Sequence, residues 1–203
     1  MADSAVRWVV FDYGEVISRR TAELPTLATL LGVAADDFAD AYWSQREAYD
    51  RGCTDAEYWG AVAGQLGREI GPDLVDKLTD VDVRGWLQPV EESLALVGEL
   101  HRTGVPIAVL SNAPASFGRA LRQQDWVRQV DQLLISADLR SAKPDAAIWA
   151  ELIDRVQAHP AELLFFDDKP TNVVGAHEAG LQTQVWTDAA AGRATLVEYG
   201  LLT

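Results

Sequence analysis

The chain has 203 residues, 48% of them hydrophobic, and a formal charge of −14 from 31 acidic and 17 basic side chains. That is chain enough for one good core, or for a core plus a smaller insertion, and its composition is that of a globular protein. A surface this negative repels phosphate backbones, which excludes nucleic acid as a partner while leaving room for a local site that holds a small anion.

Cys53 is the only cysteine, so there is no internal disulfide and a reducing compartment suits the chain. The N-terminal residues Met1 to Arg7 show no basic stretch leading into an apolar run, and no segment reaches membrane-spanning length. The expectation is a cytoplasmic protein with no membrane partner.

The first element is the most informative. Val9, Val10 and Phe11 form a β-branched and aromatic run with no polar interruption, the pattern of a strand buried on both faces of a parallel sheet. It ends in Asp12, and the chain turns at Gly14. Open α/β sheets bind ligands beyond the carboxyl ends of their strands, which is where Asp12 would stand.

Residues from about Thr21 to Gly85 break this pattern and read as helices. Leu24, Leu27, Leu30 and Leu31 make one helical face, and Phe38, Tyr42, Arg46 and Tyr49 a second. Thr54-Asp55-Ala56-Glu57 is a capping box that opens a third helix carrying Tyr58, Val62 and Leu66. Leu74, Val75 and Leu78 continue the theme after Pro72. The segment reads as a small helical bundle inserted ahead of a helix that starts near Pro89.

From Val105 onward strands and helices alternate. Strands are predicted over Val105–Leu110, Leu133–Ile135, Leu163–Phe166 and Thr183–Trp186, with a helix over Asp145–Val156 and another over Thr171–Ala179. Gly104 and Gly180 stand where helices end, and Pro144 is expected in the first turn of the Asp145 helix. Five strands with intervening helices imply an α/β fold, a Rossmann-like doubly wound parallel sheet. Its predicted extent is residues 1–18 and 86–203, with residues 19–85 as the inserted helical domain.

Several strand ends carry polar residues suited to one reaction. Asp12 ends the first, Ser111 and Asn112 the second, and Asp167 and Asp168 the fourth, while Lys143 sits in the loop Ser141-Ala142-Lys143-Pro144-Asp145. Side by side, the first and fourth strands would gather three carboxylates, a cluster that calls for a cation. A carboxylate nucleophile, a hydroxyl and an amide for phosphoryl oxygens, a lysine to offset charge and paired acids for a hard cation describe phosphoryl transfer through an aspartyl-phosphate.

In order, Phe-Asp-Tyr-Gly-Glu-Val, Leu-Ser-Asn, Ala-Lys-Pro-Asp and Phe-Phe-Asp-Asp-Lys-Pro-Thr-Asn resemble the four motifs of the haloacid dehalogenase superfamily, and the helical insertion falls where that family carries a cap. The resemblance implies that Asp12 is the nucleophile, that Ser111 hydrogen-bonds the transferring phosphoryl group with Asn112 beside it, and that Lys143 holds nucleophile and phosphate together. It implies a magnesium ion bound by Asp12, the carbonyl of Gly14, Asp167 and Asp168, with Asn172 shaping the acidic loop. Magnesium suits such a set, because it takes few carboxylates and keeps waters and phosphate oxygens. In the inserted helices, Trp43 and Arg46 are the expected substrate contacts. His101, His159 and His177 share no metal-ligand spacing and read as structural.

One position departs from the family pattern. Family phosphatases carry a second aspartate two residues after the nucleophile as general acid and base; this chain has Gly14 there, and Glu15 is one position late. Such acid–base help contributes about 10²–10⁴-fold, so its loss favours substrates with good leaving groups. The resemblance places the chain among helical-cap phosphatases acting on small phosphate monoesters, sugar phosphates included. The alternatives are a 2-haloacid dehalogenase-type hydrolase, or a weakly catalytic protein that binds and reports a phosphorylated ligand. The expected partner is a small phosphorylated metabolite. The chain itself is expected as monomer or homodimer, with exposed aromatic surface on the insertion as a dimer contact.

Overall fold

The computed structural model describes residues 6–203, so the expectation made on Met1 to Arg7 falls largely outside the described residues. Five parallel strands, β1 (Trp8–Phe11), β2 (Ile107–Ser111), β3 (Gln132–Ile135), β4 (Leu163–Asp167) and β5 (Gln182–Val185), lie in the order β3-β2-β1-β4-β5. The order reverses at β1, so the crevice beyond the ends of β1 and β4 is the switch point where such sheets bind ligands. Phe11 pairs with Val109 of β2 and with Phe166 of β4. That register sets Asp12, one residue on, beside Asp167, and Asp12 N–H donates to the Phe166 carbonyl at 2.9 Å.

Both sheet faces are covered, which is why the strands read as unbroken apolar runs. Val9 and Phe11 pack with Leu96, Val97 and Leu100 of α5 (Glu91–Thr103), Phe117 of α6 (Ala115–Leu121) and Leu196 of a C-terminal helix over Ala189–Glu198. Val10 faces the other way, onto Ile148, Trp149 and Leu152 of a helix over Ala146–Val156 and Ala176 of one over Pro170–Glu178. A short helix, Ser136–Leu139, follows β3 directly.

Between β1 and α5 come four helices, α1 (Leu24–Leu31), α2 (Ala35–Asp50), α3 (Asp55–Gln65) and α4 (Pro72–Trp86), which close around their own cluster of Leu27, Phe38, Tyr42, Tyr58, Trp59 and Leu78. Local signals set their ends. Gly32 terminates α1 at φ +65°, Thr54 and Glu57 form the capping box of α3, and Pro72 opens α4. The chain enters and leaves this bundle through two strands of backbone that pair: Arg19 N–H donates to the Gln88 carbonyl at 3.0 Å, and Val90 N–H to the Ile17 carbonyl at 2.8 Å.

The far end of the bundle is tied down as well. Ser136 Oγ donates to the Asp50 carbonyl at 2.6 Å, Tyr49 and Ser116 share a hydroxyl hydrogen bond of 3.1 Å, and Arg51 makes a two-pronged ion pair with Asp145.

Three expectations are corrected here. Pro144 is not in the first helical turn: the helix begins at Ala146, Asp145 is its N-cap, and Pro144 belongs to the loop before it. β2 begins at Ile107, not Val105, because Pro106 has no N–H for the ladder and offers only its carbonyl, to Val9 N–H at 3.1 Å. The aromatic residues of the insertion do not form an exposed surface. Tyr42, Tyr49, Tyr58 and Trp59 are fully buried, and the large apolar side chains that are exposed, such as Val174, Val185 and Tyr199, lie mostly on the sheet domain. Among the described residues no helix is long and apolar enough to cross a membrane.

Candidate active site

Beyond the ends of β1 and β4 the side chains of Asp12, Lys143 and Asp167 meet in one buried row. Lys143 Nζ lies 2.8 Å from Asp12 Oδ1 and 2.7 Å from Asp167 Oδ2, and its side chain has no exposed surface. The lysine thus supplies part of the positive charge that the gathered carboxylates demand. Its backbone is clasped by Asn112, whose Nδ2 donates to the Lys143 carbonyl at 2.9 Å while its Oδ1 accepts from Lys143 N–H at 2.8 Å. Asn112, which also lines the site's cavity, thereby holds the lysine loop in place.

Asp167 is equally spoken for. Its Oδ1 accepts from Lys169 N–H at 2.8 Å and its Oδ2 from Lys143, while Asn172 Nδ2 sits within 3.1 Å of both oxygens. Asn172, in the helix over Pro170–Glu178, therefore fixes the acidic loop. Asp168 differs: it is half-buried, and its Oδ1 has no hydrogen-bond partner among the described residues.

Electrostatics follow from this burial. Desolvation pushes the Asp12 carboxyl up to about 7 against the pull of Lys143, with Asp167 adding to the rise. Burial pulls the Lys143 ammonium down, but the Asp12 and Asp167 carboxylates outweigh it and hold the amine above the ordinary lysine value. Burial, then Asp167, raises Asp168. One carboxylate oxygen from each of Asp12, Asp167 and Asp168 lies within 4.8 Å of the others. A bare buried oxygen, three hard donors and a single lysine among them fit a small divalent cation such as magnesium.

These groups floor a cavity of about 440 Å³. Ser111 and Gly14 line it beside Asp12 and Lys143, and so do Trp43 and Arg46 of α2. Arg46 is not free: its Nε donates to Asp50 at 2.9 Å, and its Nη1 to Asp82 and to the Tyr42 hydroxyl. Sequence reasoning missed Trp86, Phe117, Glu47 and Arg51, which complete the walls. A Cβ built on Gly14 would lie 3.6 Å from Trp86 Cζ3, so an indole ring borders the place of the absent second aspartate. The one available signal was that Trp86 sits at the end of α4, just before the chain returns to the sheet. Glu15 takes the left-handed conformation, φ +58°, and lines the cavity as an exposed residue.

The model of one family, haloacid dehalogenase-like hydrolase, matches residues 6–180. The chain belongs to the haloacid dehalogenase-like hydrolase family. It is 30% identical over 129 residues to the sesquiterpene phosphatase astK of Aspergillus oryzae, covering 63% of this chain and 66% of that one. It is 25% identical over 192 residues to (S)-2-haloacid dehalogenase 1 of a Pseudomonas species, covering 88% and 83%. The matched stretches span from 44% to 83% of the lengths of the five curated relatives compared. Among solved structures, a HAD-family enzyme of Bacteroides thetaiotaomicron in complex with magnesium and inorganic phosphate superposes with a TM-score of 0.72 at 18% identity, over 90% of this chain and 94% of that one. That likeness establishes the shared fold of this hydrolase.

Proposed function

We propose that this hydrolase is a magnesium-dependent phosphatase of small phosphate monoesters, sugar phosphates and other esters with good leaving groups among them. The observation that carries the reading is the ammonium of Lys143 held between Asp12 and Asp167, with the bare oxygen of Asp168 alongside. Phosphatases among the curated relatives and the phosphate-bound structural neighbour support it.

In this reading Asp12 attacks phosphorus: a bond forms from its carboxylate oxygen, and the ester oxygen leaves with the electron pair of the broken P–O bond. Lys143 offsets charge on nucleophile and phosphoryl oxygens, Ser111 donates a hydrogen bond to the phosphoryl group, and Asn112 keeps Lys143 in place. Water then cleaves the aspartyl-phosphate, restoring Asp12 and releasing inorganic phosphate. Asp12, Asp167, Asp168 and the carbonyl of Gly14 would hold magnesium, whose charge favours ionised Asp12 and offsets the phosphate's own. Residues 19–85 act as the cap that keeps bulk water from the first step, with Trp43 and Arg46 facing the substrate. The expected setting is a reducing cytoplasm and the partner a small phosphorylated metabolite.

A dehalogenase would use the same nucleophile on carbon without metal, and it leaves the orphaned Asp168 oxygen unexplained. The deciding experiment measures phosphate release from a panel of monoesters with magnesium or with a chelator. Turnover should require magnesium and vanish in Asp12→Asn. Chloride release from a 2-haloacid that survives the chelator, or magnesium-dependent turnover in Asp12→Asn, would refute the assignment.

A further inference from the structure

Both guanidiniums on the cavity walls are paired with carboxylates. Arg46 faces two carboxylates, Asp50 at 2.9 Å and Asp82 at 3.3 Å, with all three side chains largely buried. Arg51 likewise faces two, with Nε on Glu47 at 3.1 Å and its terminal nitrogens on Asp145. Two guanidiniums therefore answer four carboxylates. Burial holds the Asp50 and Asp82 carboxyls above the usual range. Lys169, the remaining cation on the lining besides Lys143, is exposed and makes no ion pair with a described residue, and the exposed carboxylate of Glu15 lines the same cavity. Together the walls carry more carboxylates than cations, a poor setting for a second anionic group.

What they offer instead is aromatic surface. Trp43 and Trp86, the two partly exposed rings on the lining, meet edge to face with centroids 6.3 Å apart, with Arg20 over the Trp43 ring at 4.9 Å and Arg46 over the Trp86 ring at 5.6 Å, while Phe117 and Tyr13, almost fully buried, pack behind at 5.1 Å. Trp86 is braced by its Nε1, which donates to the Tyr42 hydroxyl at 3.0 Å, and by the Tyr13 hydroxyl, which donates to its carbonyl at 3.0 Å. Rigid rings beside the nucleophile suit a planar apolar group, which stacks without needing a hydrogen-bond partner.

From the carboxylate-paired arginines and the braced tryptophans, we infer that the leaving group this site accepts is uncharged and flat, an aryl or comparable planar alcohol, and that esters bearing a second anion are rejected. The inference rests on the phosphatase reading and narrows it. It also fits the missing acid at Gly14, because a phenolate leaves without a proton more readily than an alkoxide does.

The test compares phenyl phosphate, 4-carboxyphenyl phosphate and acetyl phosphate, each with magnesium. The carboxylated ester has the more acidic phenol, so leaving-group chemistry alone would make it the faster substrate. We expect kcat/KM for phenyl phosphate to exceed that for the carboxylated ester by about tenfold or more, since like charges facing one another oppose binding. Glu47→Lys, at an exposed position, should narrow that gap by lowering KM for the carboxylated ester. Trp43→Leu should raise KM for phenyl phosphate more than for acetyl phosphate. Calorimetric binding to Asp12→Asn should follow the same order as kcat/KM. Equal or better use of the carboxylated ester, or its equal binding to Asp12→Asn, overturns the inference while phosphate release from acetyl phosphate keeps the phosphatase reading. No phosphate from any of the three overturns both.

Discussion

Lys143 Nζ approaches Asp12 Oδ1 to 2.8 Å in a place where the lysine side chain has no exposed surface at all. An ion pair so placed cannot be half removed without cost, since the partner left behind keeps its charge and loses its compensation. Lys143→Met should therefore lower stability by about 3–5 kcal/mol and cut turnover by about 10²-fold or more. Lys143→Arg should not restore activity, because a planar fork does not fit the volume of an ammonium. Thermal unfolding and phosphate release, measured on the same preparations, check both halves.

The unpartnered oxygen of Asp168 leads to a prediction that needs no substrate. Magnesium should raise the melting temperature of the wild-type chain, with a stabilisation of about 2.7 kcal/mol at a hundredfold excess over Kd. Asp168→Asn should abolish that shift while folding normally without the ion. An equal shift in the variant would show that the ion binds elsewhere.

Gly14 has room for a side chain, since its nearest neighbour would be the Trp86 ring at 3.6 Å, an ordinary contact. Gly14→Asp should fold, and should speed hydrolysis of alkyl phosphates by up to about 10²-fold with little gain on aryl phosphates. Flat results across leaving groups of different acidity would mean that protonation does not limit this enzyme.

The pair between Arg51 and Asp145 gives a pH dependence of definite sign. The hydrogen bond from Arg51 holds the Asp145 carboxyl below the usual carboxylate range. A depressed acid contributes stability above its unfolded pKa and loses it as pH falls through the folded value. Both side chains are about a third or more exposed, so the effect is that of a surface pair, about 0.5–1 kcal/mol at most. Asp145→Asn should melt slightly below the wild type at neutral pH, and the two curves should merge below about pH 4. A gap that persists or widens in acid would contradict this account.

Much of the sheet was legible because buried parallel strands must be apolar throughout, and β1 and β4 are. β5 was placed one residue late, at Thr183–Trp186, since Gln182 and Gln184 make this edge strand polar while Trp186, buried and just past it, looks like strand core. Most of the candidate cluster was legible because Asp12, Ser111 and Asp167 stand at strand ends, which converge by topology, whereas Lys143 comes from the loop before the helix over Ala146–Val156. The role of Asn112 was not, because its partner is the backbone of a residue 31 positions away. The cavity walls were the least readable. Helical periodicity says which face is buried, but whether Tyr42 and Trp59 fill a core while Trp43 and Trp86 line a cavity depends on how α2 and α4 meet.

The pairing of Ser18 with Pro89 means that the chain departs from the sheet and comes back to it at one spot. To β1 and α5, the helices in between are a closed excursion whose length leaves no mark on strand register. The contacts of Tyr49, Asp50 and Arg51 with Ser116, Ser136 and Asp145 tie the far end of that excursion to the residues around the carboxylates.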